Sequence, residues 1–241
     1  MMTGTGRDGA GEVLGVILAR GGSRGIPRKN LRLLGGVPLV ERGVRILLPV
    51  TPIRRVMVST EDPEIARVAA NAGAEIPFLR PAELARDDTP SRDALVHLVS
   101  KIAERGPIEG VTCLYQATSP CVTPDQIEDA IALFHAHNAN SLKSVTPVRD
   151  YPHWMGRIDG ERFHYIVEPE ERPSRRQDVA PLYCLNGAIS IYRTATLLEG
   201  QGEEEDPLPF VMDRDSSIDI DDHEDWKEAE RILEEREGML A

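Results

Sequence analysis

Arg20, Lys29 and Asn30 stand in LARGGSRGIPRKN, residues 18–30, where glycine and positive charge gather directly behind a short apolar run. Bare glycine backbone lets a ligand come close, and successive N–H groups make a nest for an anion. With cationic side chains added, the stretch suits phosphate. Much later the chain reads SIDIDD, residues 217–222, with Asp219 and Asp221 two apart. In extended backbone that spacing turns both carboxylates to one face and sends Ile218 and Ile220 toward a core. Two hard oxygen donors side by side can hold Mg²⁺, which keeps several waters and takes other ligands from phosphate. Helix capping competes for the same aspartates. Asp222, three residues before Asp225, suits the N-cap better and leaves Asp219 and Asp221 free.

Other letters invite chemistry without carrying it. Gly4-Thr5-Gly6-Arg7-Asp8-Gly9 spells G-x-G-x-x-G, yet the dinucleotide fingerprint must follow a strand and open a helix. Here it precedes the first strand, within residues 1–12, which are expected to form a disordered tail. The basic loop is no Walker A either, since no G-K-[ST] closes it. Cys113, Cys121 and Cys184 show no C-x-x-C pairing, which fits a reducing compartment better than a disulfide framework. His135 and His137, two apart on a helix, cannot share one face as metal ligands. The 241 residues carry a net charge of −12, with 41% hydrophobic and 28% charged residues, an ordinary globular composition. That acidic balance argues against a nucleic-acid partner but leaves room for a small anionic substrate, because the positive charge is local. No run approaches the length of a membrane span and residues 1–12 hold no apolar signal core. The expectation is a cytoplasmic protein without a membrane partner.

The apolar pattern supplies the elements that must position these loops. Val13–Leu18, Arg55–Ser59, Val111–Tyr115, Ser141–Val145 and Gly187–Tyr192 read as strands. Pro38–Leu48, the Asp62-capped segment through Ala72, Ser91–Glu104, Pro124–His135 and Asp225–Glu237 read as helices. Such alternation predicts an α/β fold, a mostly parallel sheet with helices on both faces. Polar clusters follow the strands: the loop after Leu18, Ser59-Thr60-Glu61-Asp62, Gln116 to Pro120, and Ser144 onward. Ligands of open α/β sheets sit beyond the carboxyl ends of strands, so these clusters are expected to share one crevice. Arg20 and Asn30 are expected at a solvent-facing strand end, and residues 200–206 as an acidic surface loop. From Asp150 to Ala180 the rhythm breaks. Tyr151, Trp154, Phe163 and Tyr165 surround a hairpin signal, Asp159-Gly160, and Arg172, Arg175 and Arg176 follow. We expect one α/β domain, residues 13–149 and 181–241, with an inserted arm, 150–180. A projecting hairpin with that apolar load marks an interaction surface.

LARGGSRGIPRKN, Arg80-Pro81-Ala82-Glu83-Leu84, YQATSP (115–120), Arg175-Arg176-Gln177, LNGA (185–188) and SIDIDD occur in that order. In this the chain resembles the CMP-sialic acid synthetases over residues 13 to 236. The related Kdo cytidylyltransferases open closer to ARYxSTRLPGKP, so Gly21-Gly22 and Lys29-Asn30 point to the sialate branch. The resemblance implies a Rossmann-like fold of the nucleotide-diphospho-sugar transferase type and transfer of a cytidylyl group from CTP to an acidic nonulosonic sugar. It also implies Mg²⁺ as cofactor and a homodimer through the arm. Two alternatives stay open: another acidic acceptor (a Kdo-like sugar or a phosphonate), or a catalytically silent nucleotide-binding subunit.

Residue by residue, the resemblance places CTP against Leu18, Ala19, Arg20, Gly21, Gly22, Ser23 and Asn30, with Arg80, Pro90 and Ser91 reading cytosine. Arg20, Lys29, Asn30 and Asp221 take the catalytic roles, because nucleotidyl transfer needs the triphosphate and the leaving pyrophosphate neutralised. Asp219 and Asp221 match the family's magnesium pair. The sugar falls to Gln116, Ser119, Arg175, Arg176, Gln177 and Asn186. Arginine recognises a carboxylate with two hydrogen bonds, and Arg176 is preferred to Arg175 for it, with Arg172 a solvated patch. Gln116 equally suits capping of the next helix. Cys184 stands where a long polar residue is common and Ser190 where tyrosine is, which leaves the identity of the sugar acid open.

Overall fold

The computed structural model describes residues 13–23, 25–106, 108, 110–168, 175, 178–200 and 206–238. The proposed tail (1–12), Arg172, Arg176, Gln177 and most of the acidic loop (201–205) lie outside the described residues. The described chain starts with β1 (Val13–Leu18), a short hairpin of β2 (Leu33–Leu34) and β3 (Val37–Pro38), and helix α1 (Leu39–Leu47). Then come β4 (Ile53–Ser59), α2 (Pro63–Asn71), α3 (Ser91–Ala103), β5 (Val111–Tyr115), α4 (Pro124–Ala136) and β6 (Ser141–Pro147). A separate hairpin, β7 (Gly156–Asp159) and β8 (Arg162–Tyr165), precedes β9 (Tyr183–Arg193), α5 (Thr194–Leu198), β10 (Leu208–Val211) and α6 (His223–Gly238).

Six strands form one sheet in the order β10-β6-β9-β5-β1-β4. β9 runs against both its neighbours, and the other pairs are parallel. The expected mostly parallel α/β sheet is therefore present. β1 sits between β4 and β5, so the chain leaves it first toward one edge and later toward the other. This is a topological switch point, and a crevice opens beyond the carboxyl end of β1.

Side chains alternate along β1 between the two faces. Val13 and Ile17 join the core formed with Val40, Val44, Ile65 and Ile127, from α1, α2 and α4. Leu14 and Val16 join the core formed with Leu95, Leu98, Val99 and Leu197, from α3 and α5. Two helix starts follow the sequence signals closely. Asp62 accepts from the backbone N–H groups of Glu64 and Ile65 ahead of Pro63, and Thr123 forms a capping box with Gln126 ahead of Pro124.

A third, smaller cluster matters most for function. Ile26 from the basic loop and Ile220 from the acidic segment pack with Leu34, Leu39, Trp226 and Ala229. Ile220 is fully buried and Ile218 partly so, as the alternation requires. The stretch belongs to no sheet, however. A short 3-10 turn, Asp215–Ser217, leads into irregular extended backbone, because β10 has already closed that edge. Two further differences stand out. The β2–β3 hairpin turns on Gly35 and Gly36, both at positive φ, and was not expected. β9 begins at Tyr183 rather than Gly187, since its first residues pair with Val145–Pro147 across an irregularity at Ser144.

Candidate active site

The loop after β1 is clasped from within. Ala19 N–H donates to the Ser59 carbonyl at 3.0 Å, which carries the sheet one residue past β1. The Arg20 carbonyl then accepts from Asn30 Nδ2 at 2.9 Å. Asn30 is only 6% exposed, which corrects the expectation of a solvent-facing residue: its amide satisfies the Arg20 carbonyl at the strand end. Arg20 pairs with Asp87 at 2.6 Å. Gly21 N–H donates to Glu61 Oε1 at 2.7 Å. A Cβ on Gly21 would lie 2.7 Å from Asp62 Oδ2, so the side chain is excluded by contact.

Lys29 reaches across to the acidic segment. Its Nζ donates to the Ile220 carbonyl and lies 3.2 Å from Asp221 Oδ1, with only 12% of the side chain exposed. Gly25 touches the same segment so closely that a Cβ there would fall 1.9 Å from the Asp221 carbonyl oxygen. Ile220 N–H donates to the Thr118 carbonyl at 2.8 Å, tying the segment to the loop after β5. Behind it, Asp213 accepts from Ser216 N–H at 2.8 Å and from Gln126 Nε2 at 3.2 Å. Asp222 caps α6, accepting from the N–H groups of Glu224 and Asp225, and Asp225 accepts in return from the N–H groups of Asp221 and Asp222. The cap therefore falls on Asp222, and the Asp219 and Asp221 carboxylates stand in the cleft.

The Asp219 carboxyl is held above the usual carboxylate range. Partial loss of solvent around the carboxyl is the main cause, although the residue stays exposed along the cleft. The charges of Asp221 and Asp225 add to it, while a hydrogen bond from Thr118 and the Lys29 ammonium oppose it. Among the described residues no group of three or more His, Cys, Asp or Glu is placed to hold a metal. Two carboxylates alone suit a hard dication that completes its shell with water and phosphate.

One cleft of about 480 Å³ gathers most of the expected residues. Leu18, Arg20, Ser23, Lys29 and Asn30 line it from the first loop, Arg80, Pro90 and Ser91 from the region before and at the start of α3. Gln116, Asp219 and Asp221 close the remaining side. Arg80 is 5% exposed; its N–H donates to the Thr60 carbonyl at 2.8 Å and its Nη2 to Glu61 Oε2 at 3.1 Å. Ala19, Gly21 and Gly22 shape the loop without lining the cleft.

Three residues expected at the sugar lie elsewhere. Ser119 is fully buried, and its own carbonyl accepts from the Tyr115 hydroxyl. Asn186 spends its amide on Ser144, Ser217 and Met212, bracing β9 against the acidic segment. Arg175 is exposed and paired with Asp178 at 3.0 Å, away from the cleft. Glu61 and Asp87, the carboxylates that meet the first loop, carried no spacing signal; Glu61 was visible only as part of a polar strand end.

The backbone matches that of CMP:2-keto-3-deoxy-manno-octonic acid synthetase in complex with CTP at a TM-score of 0.70. Identity is 16%, with 93% of this chain and 99% of that one covered. It matches 4-diphosphocytidyl-2C-methyl-D-erythritol synthase from Anaerococcus prevotii at 0.64, with 12% identity and 94% and 100% of the two chains covered. These likenesses define the fold, an α/β architecture shared with both proteins. The family model described as cytidylyltransferase matches residues 14–153. The chain is 33% identical over 236 residues to the CMP-N,N'-diacetyllegionaminic acid synthase of Legionella pneumophila, covering 95% of this chain and 99% of that protein. It is 34% identical over 228 residues to the N-acylneuraminate cytidylyltransferase of Oncorhynchus mykiss, covering 92% of this chain and 50% of that longer protein. The chain belongs to the cytidylyltransferase family.

Proposed function

We propose that the protein transfers a cytidylyl group from CTP to the anomeric hydroxyl of a nonulosonic acid, releasing pyrophosphate. The observation that carries this reading is the meeting of Lys29 and Asp221, which joins the basic loop to the acidic pair in one cleft at the switch point of the sheet. The names of the relatives support the choice of CTP and of an acidic keto sugar. The hydroxyl oxygen attacks the α-phosphorus in line and gives up its proton to water. The bond from the α-phosphorus to the oxygen bridging it to the β-phosphorus breaks, and pyrophosphate departs with the electron pair. Arg20 and Lys29 offset charge on the triphosphate and on the leaving group. Asn30 keeps the loop in shape by holding the Arg20 carbonyl. Arg80, with Pro90 and Ser91, forms the base side. Asp219 and Asp221 would hold Mg²⁺, which when bound supplies further charge neutralisation at the phosphates. Gln116 faces the sugar, and the sugar's carboxylate calls for an arginine, Arg176 before Arg175, supplied from a second copy because Arg175 lies away from the cleft of its own chain.

We further propose a homodimer through the arm. The β7–β8 hairpin forms its own two-stranded sheet and exposes Ile158 (78%), Phe163 (51%) and Tyr165 (49%). A second copy covering this hairpin would also bring its arginines toward a neighbouring sugar pocket.

The deciding experiment is pyrophosphate release from CTP, UTP, GTP and ATP against sialic, legionaminic, pseudaminic and Kdo-type acids. CTP with a nonulosonic acid is expected to give the highest rate. Absence of release from CTP with every acid overturns the reading.

A further inference from the structure

Glu61 touches both halves of the nucleotide side of the cleft. Its Oε1 accepts from Gly21 N–H in the phosphate loop at 2.7 Å, and its Oε2 accepts from Arg80 Nη2 at 3.1 Å. The Glu61 side chain is 21% exposed and that of Arg80 only 4%. Arg80 is fixed at its backbone too, through the hydrogen bond to the Thr60 carbonyl. Its Nε is buried and has no partner among the described residues, yet the residue lines the cleft. Because the Arg80 side chain lines the cleft, the part of its guanidinium that Glu61 does not hold can meet an acceptor on a ligand.

We propose that Glu61 is a positioning residue that locks the Arg80 guanidinium to the first loop and thereby sets selectivity among pyrimidine bases. The inference rests on the cytidylyl reading above. A guanidinium can only donate hydrogen bonds. Cytosine offers it two adjacent acceptors, N3 and O2, whereas uracil carries an N–H at position 3. A donor held facing that N–H rejects uracil, but a guanidinium free to turn would find another acceptor edge. Glu61 removes that freedom. The same carboxylate holds Gly21, so base and phosphates are registered against one anchor.

The test compares the wild type, Glu61→Gln, Arg80→Lys and the double variant by pyrophosphate release with CTP and with UTP. Glutamine keeps the size of the side chain and its bond from Gly21, but offers Arg80 no charge. Glu61→Gln is expected to raise KM for CTP about tenfold and to lower the preference for CTP over UTP about tenfold, the loss of one charge-assisted hydrogen bond. KM for the sugar acid should stay within about twofold, and the Glu61→Gln effect should vanish in the Arg80→Lys background, since it acts through Arg80. Equal increases in KM for CTP and for the sugar acid, or an effect that persists in full beside Arg80→Lys, overturn the proposal. A wild type inert toward CTP overturns the cytidylyl reading and this inference together. An active wild type whose selectivity survives Glu61→Gln overturns this inference alone.

Discussion

Asp219 lines the cleft, where partial loss of solvent and then the charges of Asp221 and Asp225 disfavour its own charge. Asp219→Asn removes the like-charge repulsion while keeping the shape. Its melting temperature without metal should be unchanged or raised by about 2 °C, whereas turnover should fall on the order of 10²-fold or more. Scanning calorimetry beside a pyrophosphate assay checks both, and a lowered melting temperature with retained turnover would make Asp219 structural. At this scale the sequence was legible where spacing encodes geometry. The alternation of Ile218 to Asp221 and the Asp222 cap are both present as read. Burial is not encoded by spacing, so Asn30 inside its loop and the partners Glu61 and Asp87 emerge only when the fold brings strand ends together.

Between elements, Gly25 lies so near the Asp221 backbone that a Cβ there would meet the Asp221 carbonyl oxygen at 1.9 Å, which leaves no room for a side chain between the basic loop and the acidic segment. Gly25→Ala must force the two apart. The expected cost is about 1–3 kcal/mol of stability, as for other overpacked sites. Turnover should drop at least about tenfold, since small misplacements of catalytic groups are expensive. Denaturant unfolding together with steady-state kinetics tests this, and a variant with wild-type values in both would mean the loop shifts freely. The strands β1 and β5 were legible to the residue because apolar runs end abruptly at polar ones. The start of β4 at Ile53 was hidden by the exposed, charged Arg54, and the β2–β3 hairpin is too short for any periodicity. The first part of β9 was hidden for another reason: Tyr183 and Leu185 are apolar but exposed, so they form no buried run.

Among the described residues three apolar clusters form the core, while Ile158, Phe163 and Tyr165 of the arm stay exposed, as do Leu33, Leu185 and Val211 elsewhere. The proposed dimer would hide the surface of the arm. Light scattering at micromolar concentration should give twice the chain mass, and Ile158→Asp with Phe163→Asp should give a monomer with lowered activity. A monomeric mass in fully active wild type would make the arm a lid acting on its own subunit. Chain order adds a consequence of the Lys29–Asp221 contact, which spans 192 positions. Arg20 and Arg28 find their carboxylates, Asp87 and Glu64, within the first part of the chain, but Lys29 has to wait. At ordinary rates of synthesis the interval is roughly 10–40 s. Under the proposed reaction, a nascent chain lacks Asp219 and Asp221 throughout that interval, so it could not turn nucleotide over before Ile220 packs with Ile26 in the third apolar cluster.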